Sequence, residues 1–223
     1  PPMAESIEER KARLKEITRR LARQYPDARV LLNYSNPLEL LVATILAAQC
    51  TDARVNETTP RIFQRFKTAK DYADASLKEL EELFKPTGFF RNKAKAVQAC
   101  CRELVLKHGG NVPDDPDALY ALPGVGRKTA NVVLGNVFGK PAIIVDTHVL
   151  RVSGRLGLAS QKNVTHKYAD KVEAELMELA PPKNWTHLSH LLSFHGRRIC
   201  TAARPKCPLC PVRDLCPYPD KTA

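Results

Sequence analysis

The chain has 223 residues, 43% of them hydrophobic and 26% charged. That is enough to bury a substantial core in one or two domains. No apolar run approaches the roughly 20 residues needed to span a bilayer, so no membrane partner is expected. Charge is the informative total: 35 Lys+Arg against 24 Asp+Glu give +11, which favours a polyanionic partner, nucleic acid foremost, because each phosphate contact releases condensed counterions. Charge alone leaves a merely basic enzyme open.

The first twenty residues, PPMAESIEERKARLKEITRR, lack the apolar core of an export signal, and Pro1 and Pro2 ahead of Met3 are set aside as an added remnant. Ser6 with Glu9 reads as a capping box opening a helix whose Leu14, Ile17 and Leu21 share one face. Asn36-Pro37 caps the next, LELLVATILAAQ, which is apolar nearly all round and belongs inside a core. Thr51 and Asp52 start a third helix. Ser76 with Glu79 reads as another capping box, ahead of LKELEELF. KAKAVQACCRELVLKHGG stops on the glycines expected of a helix end. Beyond the proline-rich NVPDDPDA come the short segment LYAL, a turn, and a helix from about Arg127 to Val137. Asp146 is placed as the cap of THVLRVSGR, and KYADKVEAELMELAP and WTHLSHLLSFHGRRIC are further helices. The run AIIV before Asp146 cannot be assigned by periodicity. The fold class is all-α, with ten or so helices.

The turn is LPGVGRK, residues 122–128. Glycines at 124 and 126 permit positive φ and let a ligand approach the backbone, while the N–H groups and dipole at the following helix start favour an anion. A P-loop would need GxxxxGK with Ser or Thr after a strand, and a dinucleotide fingerprint would need a third glycine where Thr129 stands; both fail. The bland reading is an αα-hairpin with glycines for tight packing.

LPGVGRKTANVVL, followed by Asp146 in VDTHV, resembles the helix-hairpin-helix DNA glycosylase superfamily. LAAQCTD and the C-terminal cysteines resemble endonuclease III specifically, over about Ile17 to Cys216. Alone, Lys128 would be a solvated lysine and Asp146 a plain cap. The resemblance implies that Lys128 is the nucleophile attacking C1′ of a damaged nucleotide to form an imine, and that Asp146 is essential as a proton acceptor or electrostatic stabiliser. β-Elimination from the imine would then cut the strand 3′ to the lesion. Glycosylases of this fold that only remove the base lack that lysine.

Seven cysteines are unevenly spread: Cys50, Cys100 and Cys101 read as reduced core residues, whereas Cys200, Cys207, Cys210 and Cys216 form a C-x6-C-x2-C-x5-C run. Four thiolates in so short a stretch can ligate a tetrahedral zinc or an iron–sulfur cubane, and the single CxxC tilts towards the latter. The resemblance implies a [4Fe–4S] cluster. Its role is expected to be structural, four bonds fixing a loop too short for a core of its own, and Arg204 and Lys206, between the first two ligands, are expected to face the DNA backbone.

A base in a stacked duplex must be flipped out and its gap filled. The resemblance assigns that filling to Gln49 and to a wedge at Phe89, and backbone contacts to the hairpin residues Gly124, Val125, Gly126 and Arg127. Without it Gln49 would read as a polar helix end, and Phe89 with Phe90 as a pair capping the core. His148 is assigned to support of its helix, Arg151 and Arg155 to solvation or packing.

The resemblance implies two lobes with a cleft between them. Residues 30–140 would form a six-helix barrel containing the helix-hairpin-helix (about 117–137). Residues 1–29 and 141–223 would form a discontinuous cluster domain, with its cluster loop at 200–216. The expected protein is a cytoplasmic monomer, nucleoid-associated if bacterial. It would be a DNA glycosylase/AP lyase acting on double-stranded DNA that contains oxidised pyrimidines or abasic sites. Three rival readings stand beside it. An adenine glycosylase is disfavoured by Lys128 and a silent DNA-binding module by Lys128 with Asp146, while visible absorbance and iron content would separate a zinc-dependent regulator.

Overall fold

A computed structural model describes residues 5–223; the reading of Pro1 and Pro2 lies outside them. Among the described residues are eleven α-helices: α1 Ile7–Gln24, α2 Pro37–Leu46, α3 Asp52–Arg65, α4 Ala69–Asp74, α5 Leu77–Phe84, α6 Phe90–Lys107, α7 Pro116–Tyr120, α8 Arg127–Asn136, α9 Thr147–Arg155, α10 Ala169–Leu179 and α11 Trp185–Arg198. No strand occurs among the described residues, and no helix is long and apolar enough to cross a membrane. The chain divides into two compact units, one of Leu31–Lys140, the other of the chain up to Val30 together with Pro141–Ala223.

In the continuous unit α2 is the central helix. Every residue from Leu40 to Leu46 is buried, and α2 packs on α3, α6 and α8. Its start is fixed by the Asn36 side chain, which accepts from the Glu39 N–H, with Pro37 supplying a preset φ. The helix ends earlier than its apolar run suggests: Ala47, Ala48 and Gln49 form a turn. α4 and α5 pack on α6. α4 was not legible by periodicity because six residues are too few. Its signal is the Thr68–Asp71 capping box. The expected box at Ser76 is only half made. Ser76 accepts from the Glu79 N–H at 3.1 Å, but the Glu79 carboxylate is taken by the Arg65 guanidinium at 2.8 Å, an ion pair with which a second cap contact competes. α6 stops where Gly109 and Gly110 take φ of 59° and 81°, letting the Gly110 N–H return to the Leu104 carbonyl.

The discontinuous unit buries Leu14, Ile17 and Leu21 of α1 with side chains from α9, α10 and α11 around one core. Residues 142–145, the unassigned AIIV, are buried without joining a ladder. Their polar backbone groups must therefore find side-chain partners. α11 provides them: the Ile144 N–H donates to Ser189 Oγ at 2.8 Å, and Thr186 Oγ1 donates to the Ala142 carbonyl at 3.2 Å. Thr186, Ser189 and Ser193 lie at i, i+3 and i+7 on one face of α11, so hydroxyls at helical spacing hold an extended segment in place.

Ser189 is 2% exposed, so Ser189→Ala leaves the Ile144 N–H without its acceptor. Urea denaturation is expected to show a loss of about 1–3 kcal/mol. An unchanged midpoint would mean that the segment does not need this bond.

Candidate nucleic-acid interface and active site

In the continuous unit, α7 and α8 form the hairpin. Leu122 and Val125 are its buried anchors, and the Val125 N–H closes the turn on the Leu122 carbonyl at 3.2 Å. Gly124 takes φ +73°, and a Cβ there would lie 2.8 Å from Ala96 Cβ on α6. Glycine is required on both counts. Gly126, where positive φ would also be permitted, has φ −87° instead. Its service is different: it opens α8 with no side-chain cap, and the space beside its Cα is empty, so a ligand can approach the first turn. Arg127 and Lys128 occupy that turn and are exposed; the Arg127 guanidinium lies 5.3 Å from the Tyr120 ring centroid. Two cations at the positive end of a helix dipole suit an anionic ligand.

Gln49 and Phe89 share a backbone anomaly. They are the non-glycine residues with positive φ among the described residues, at 50° and 47°, a conformation that costs about 1–3 kcal/mol and concentrates at functional sites. Both are exposed, Phe89 at 61%, so the core-capping reading fails for it. Phe90 is half-buried under the Arg91 guanidinium. One pocket is lined by Gln49, Phe89, Lys93, Ala96, Gly124 and Thr129. The fold thus brings together, within one unit, the two gap-filling candidates and the hairpin glycine.

Asp146, in the discontinuous unit, is the N-cap of α9. Its Oδ1 accepts from the Val149 N–H at 2.7 Å, and its Oδ2 accepts from Ser193 Oγ at 2.7 Å. Both oxygens are committed, so the carboxylate is fixed in rotation as well as in place. Ser193 was missed from the sequence; its only signal is the hydroxyl spacing on α11, which acquires meaning once residues 142–146 are seen against that helix.

Cys200, Cys207, Cys210 and Cys216 line one pocket, together with Arg155, His195, Lys206, Arg213 and Lys221 and with no acidic side chain. Among the described residues no three Cys, His, Asp or Glu side chains gather closely enough for a single metal ion. Four soft thiols lining a cation-rimmed pocket are a donor set compatible with a thiolate-bound metal centre, an iron–sulfur cluster among them. His195 Nε2 stands 3.5 Å from Cys210 Sγ, with Tyr25 Oη 2.8 Å from Nδ1. Arg151 and Arg155 do more than pack. Arg151 donates to the Cys200 and Gly196 carbonyls, and Arg155 to those of Thr201 and Ala202, fixing the stretch that begins with the first cysteine. His148 Nδ1 lies 3.1 Å from Arg151 Nη2, a supporting contact. Arg204 and Lys206 are exposed.

Residues 42–182 match the model of the HhH-GPD superfamily base excision DNA repair proteins. The chain is 47% identical to endonuclease III of Synechocystis sp. over 93% of each chain. It is also 47% identical to endonuclease III of Bacillus subtilis, over 86% of each chain. Among solved structures, it is 45% identical, with a TM-score of 0.87 and coverage of 93% of this chain and 95% of the other, to a trapped endonuclease III–DNA covalent intermediate, an estranged-adenine complex.

Burial, with His187 nearby, pushes His190 down to about 4, while the Asp146 charge opposes the shift. An unfolded histidine titrates near 6.5. Between those values the unfolded chain binds a proton that the folded chain refuses. The histidine's stabilising effect is therefore complete above about 6.5 and is lost as pH falls towards 4, by up to about 3 kcal/mol. Urea midpoints measured at falling pH should decline with a shallower slope in His190→Gln; identical slopes would remove His190 as the cause.

Proposed function

The chain belongs to the HhH-GPD superfamily of base excision DNA repair proteins and, within it, to the endonuclease III family, and on that premise we propose that it is a DNA glycosylase with AP lyase activity that removes oxidised pyrimidines from duplex DNA. The observation that carries the reading is Lys128, an exposed amine in the first turn of a helix that opens on an uncapped, unobstructed glycine. A relative of this chain has been trapped as a covalent intermediate with DNA, as an enzyme with a covalent nucleophile would be.

In the proposed reaction the neutral amine of Lys128 attacks C1′ and the N-glycosidic bond breaks, its electron pair leaving with the base, which takes up a proton. Ring opening gives an imine between Nζ and C1′. Loss of a C2′ proton and cleavage of the C3′–O bond then cut the strand 3′ to the lesion. Asp146 accepts a proton or stabilises positive charge developing on the same sugar, and its two hydrogen bonds keep the carboxylate from turning away. Gln49 and Phe89 fill the space left by the flipped nucleotide. The turn residues Gly124, Val125, Gly126 and Arg127, with Arg204 and Lys206, bind backbone phosphates without reading sequence. The family architecture would make residues 30–140 the barrel domain and residues 1–29 with 141–223 the cluster domain, in a protein acting as a monomer.

The four C-terminal cysteines would hold a [4Fe–4S] cluster, which supplies four metal–thiolate bonds as a cross-link for a loop too short to build a core. No step of base removal passes through it. Arg155, Lys206, Arg213 and Lys221, which line the pocket, would offset its negative charge.

Borohydride reduction in the presence of duplex DNA carrying an oxidised thymine should give a covalent band with the parent protein. Lys128→Ala should lower its yield by more than about a thousandfold while still binding DNA. Adduct formation by the alanine variant would sink the assignment of the nucleophile. Independently, the purified protein should carry about four irons with broad visible absorbance, and Cys210→Ser should lower both iron content and thermal midpoint. Stoichiometric zinc in place of iron would overturn the cluster reading.

A further inference from the structure

Lys93 is a cation where one is not expected. It sits in the first turns of α6 and is 5% exposed, and burial pushes its ammonium below the usual lysine range, with the Cys50 thiol opposing the shift. No carboxylate pairs with it among the contacts described; its Nζ instead donates to two backbone carbonyls, of Leu46 at 2.8 Å and of Thr87 at 2.8 Å. Leu46 is the last residue of α2 and Thr87 ends the short turn Lys85–Thr87. Each is a carbonyl at the end of a helical segment, where orphan acceptors and the negative end of the dipole favour a cation.

These carbonyls lie just ahead of the two strained residues: Gln49 follows Leu46 by three positions, Phe89 follows Thr87 by two. The Lys93 N–H also donates to the Phe89 carbonyl at 3.0 Å. One residue therefore ties both loops, and nothing in the proposed chemistry uses it. We infer that Lys93 is a positioning residue that clamps the Gln49 turn to the Phe89 turn, setting the separation at which this pair enters the duplex beside the flipped nucleotide. The inference rests on the reading of Gln49 and Phe89 as the gap-filling pair. A lysine suits the task because three rotatable donors on one small head can serve two carbonyls from different segments. An apolar replacement would leave both carbonyls buried without that donor, and the two turns free to relax from their left-handed backbones.

The clamp predicts a loss confined to substrates that must be opened. Lys93→Met is compared with the parent in two single-turnover assays, base release from a duplex containing an oxidised thymine and strand cleavage of single-stranded abasic DNA. Expected is a fall of about tenfold or more on the duplex, with less than about a twofold change on the single strand. 2-Aminopurine opposite the lesion should show a smaller fluorescence rise with Lys93→Met, and Lys93→Arg, which keeps donors for both carbonyls, should recover most of the parental duplex rate. Equal losses on both substrates, or a parental duplex rate, would overturn the clamp. Should Lys93→Met fold poorly, the test passes to Lys93→Gln, whose shorter amide cannot serve both carbonyls, measured alone and combined with Gln49→Ala and Phe89→Ala. Its duplex rate penalty should shrink once the pair it positions is gone, and an equal penalty in both backgrounds would overturn the inference. A parent inactive in both assays would instead defeat the glycosylase/lyase reading itself.

Discussion

Each α-helix leaves its first four N–H groups and its last four carbonyls without partners inside the helix, and this chain has eleven helices among its described residues. How those ends are satisfied decides much of what the molecule can do. Most helix starts are closed by ordinary means: Ser6, Asn36, Thr51, Thr68, Ser76 and Asp115 each accept a bond from a first-turn N–H. Two residues assigned to chemistry stand at helix starts closed in other ways, although α6, α10 and α11 also open without a side-chain cap. α8 opens on a glycine with no capping oxygen, and Lys128 follows. α9 opens on Asp146, a capping side chain whose second oxygen is held by Ser193. An open helix start is available to an external anion, whereas a doubly bonded cap is a carboxylate held in one orientation.

The same constraint explains the pair Gln49 and Phe89. Each sits where a helix has just ended or is about to begin, and each takes a left-handed backbone that a side chain adopts at a cost. Such strain persists only where neighbours over-determine it. The neighbours here are the buried apolar face of α2, the first turns of α6 and the Lys93 ammonium, which bonds to the carbonyl ends of both preceding segments. The strain is concentrated on the exposed tips, and the rigid packing lies beneath them.

In the discontinuous unit, satisfaction of polar backbone is done by side chains of α9 and α11. Thr186 and Ser189 hold residues 142–144, Ser193 holds Asp146, and Arg151 with Arg155 holds the carbonyls of Gly196, Cys200, Thr201 and Ala202. The stretch that starts the cysteine loop is therefore anchored by arginine donors on α9, and α9 itself begins at Asp146. A cluster bound at Cys200, Cys207, Cys210 and Cys216 would complete a loop already fixed at one end.

The sequence by itself determined the helical class, because periodicity and caps are local: Leu14, Ile17 and Leu21 needed only 3.6-residue spacing, and Asn36-Pro37 announces a helix start without reference to anything distant. Lys128, Asp146 and the four clustered cysteines could be proposed for a related reason, since LPGVGRK, VDTHV and the cysteine run are short motifs of fixed spacing that carry the family resemblance. What the tertiary structure alone decided was everything that depends on a partner far along the chain. Glu79 abandons its cap for Arg65; residues 142–145, which periodicity cannot assign, find hydroxyls of α11; Gly124 is required by Ala96 on another helix; Ser193 gains its purpose only from Asp146. Lys93 is the clearest case. In sequence it is one lysine among many on an amphipathic helix, and only folding brings its ammonium to the carbonyls of Leu46 and Thr87. A buried cation is defined by what surrounds it in space, and one-dimensional spacing does not encode that.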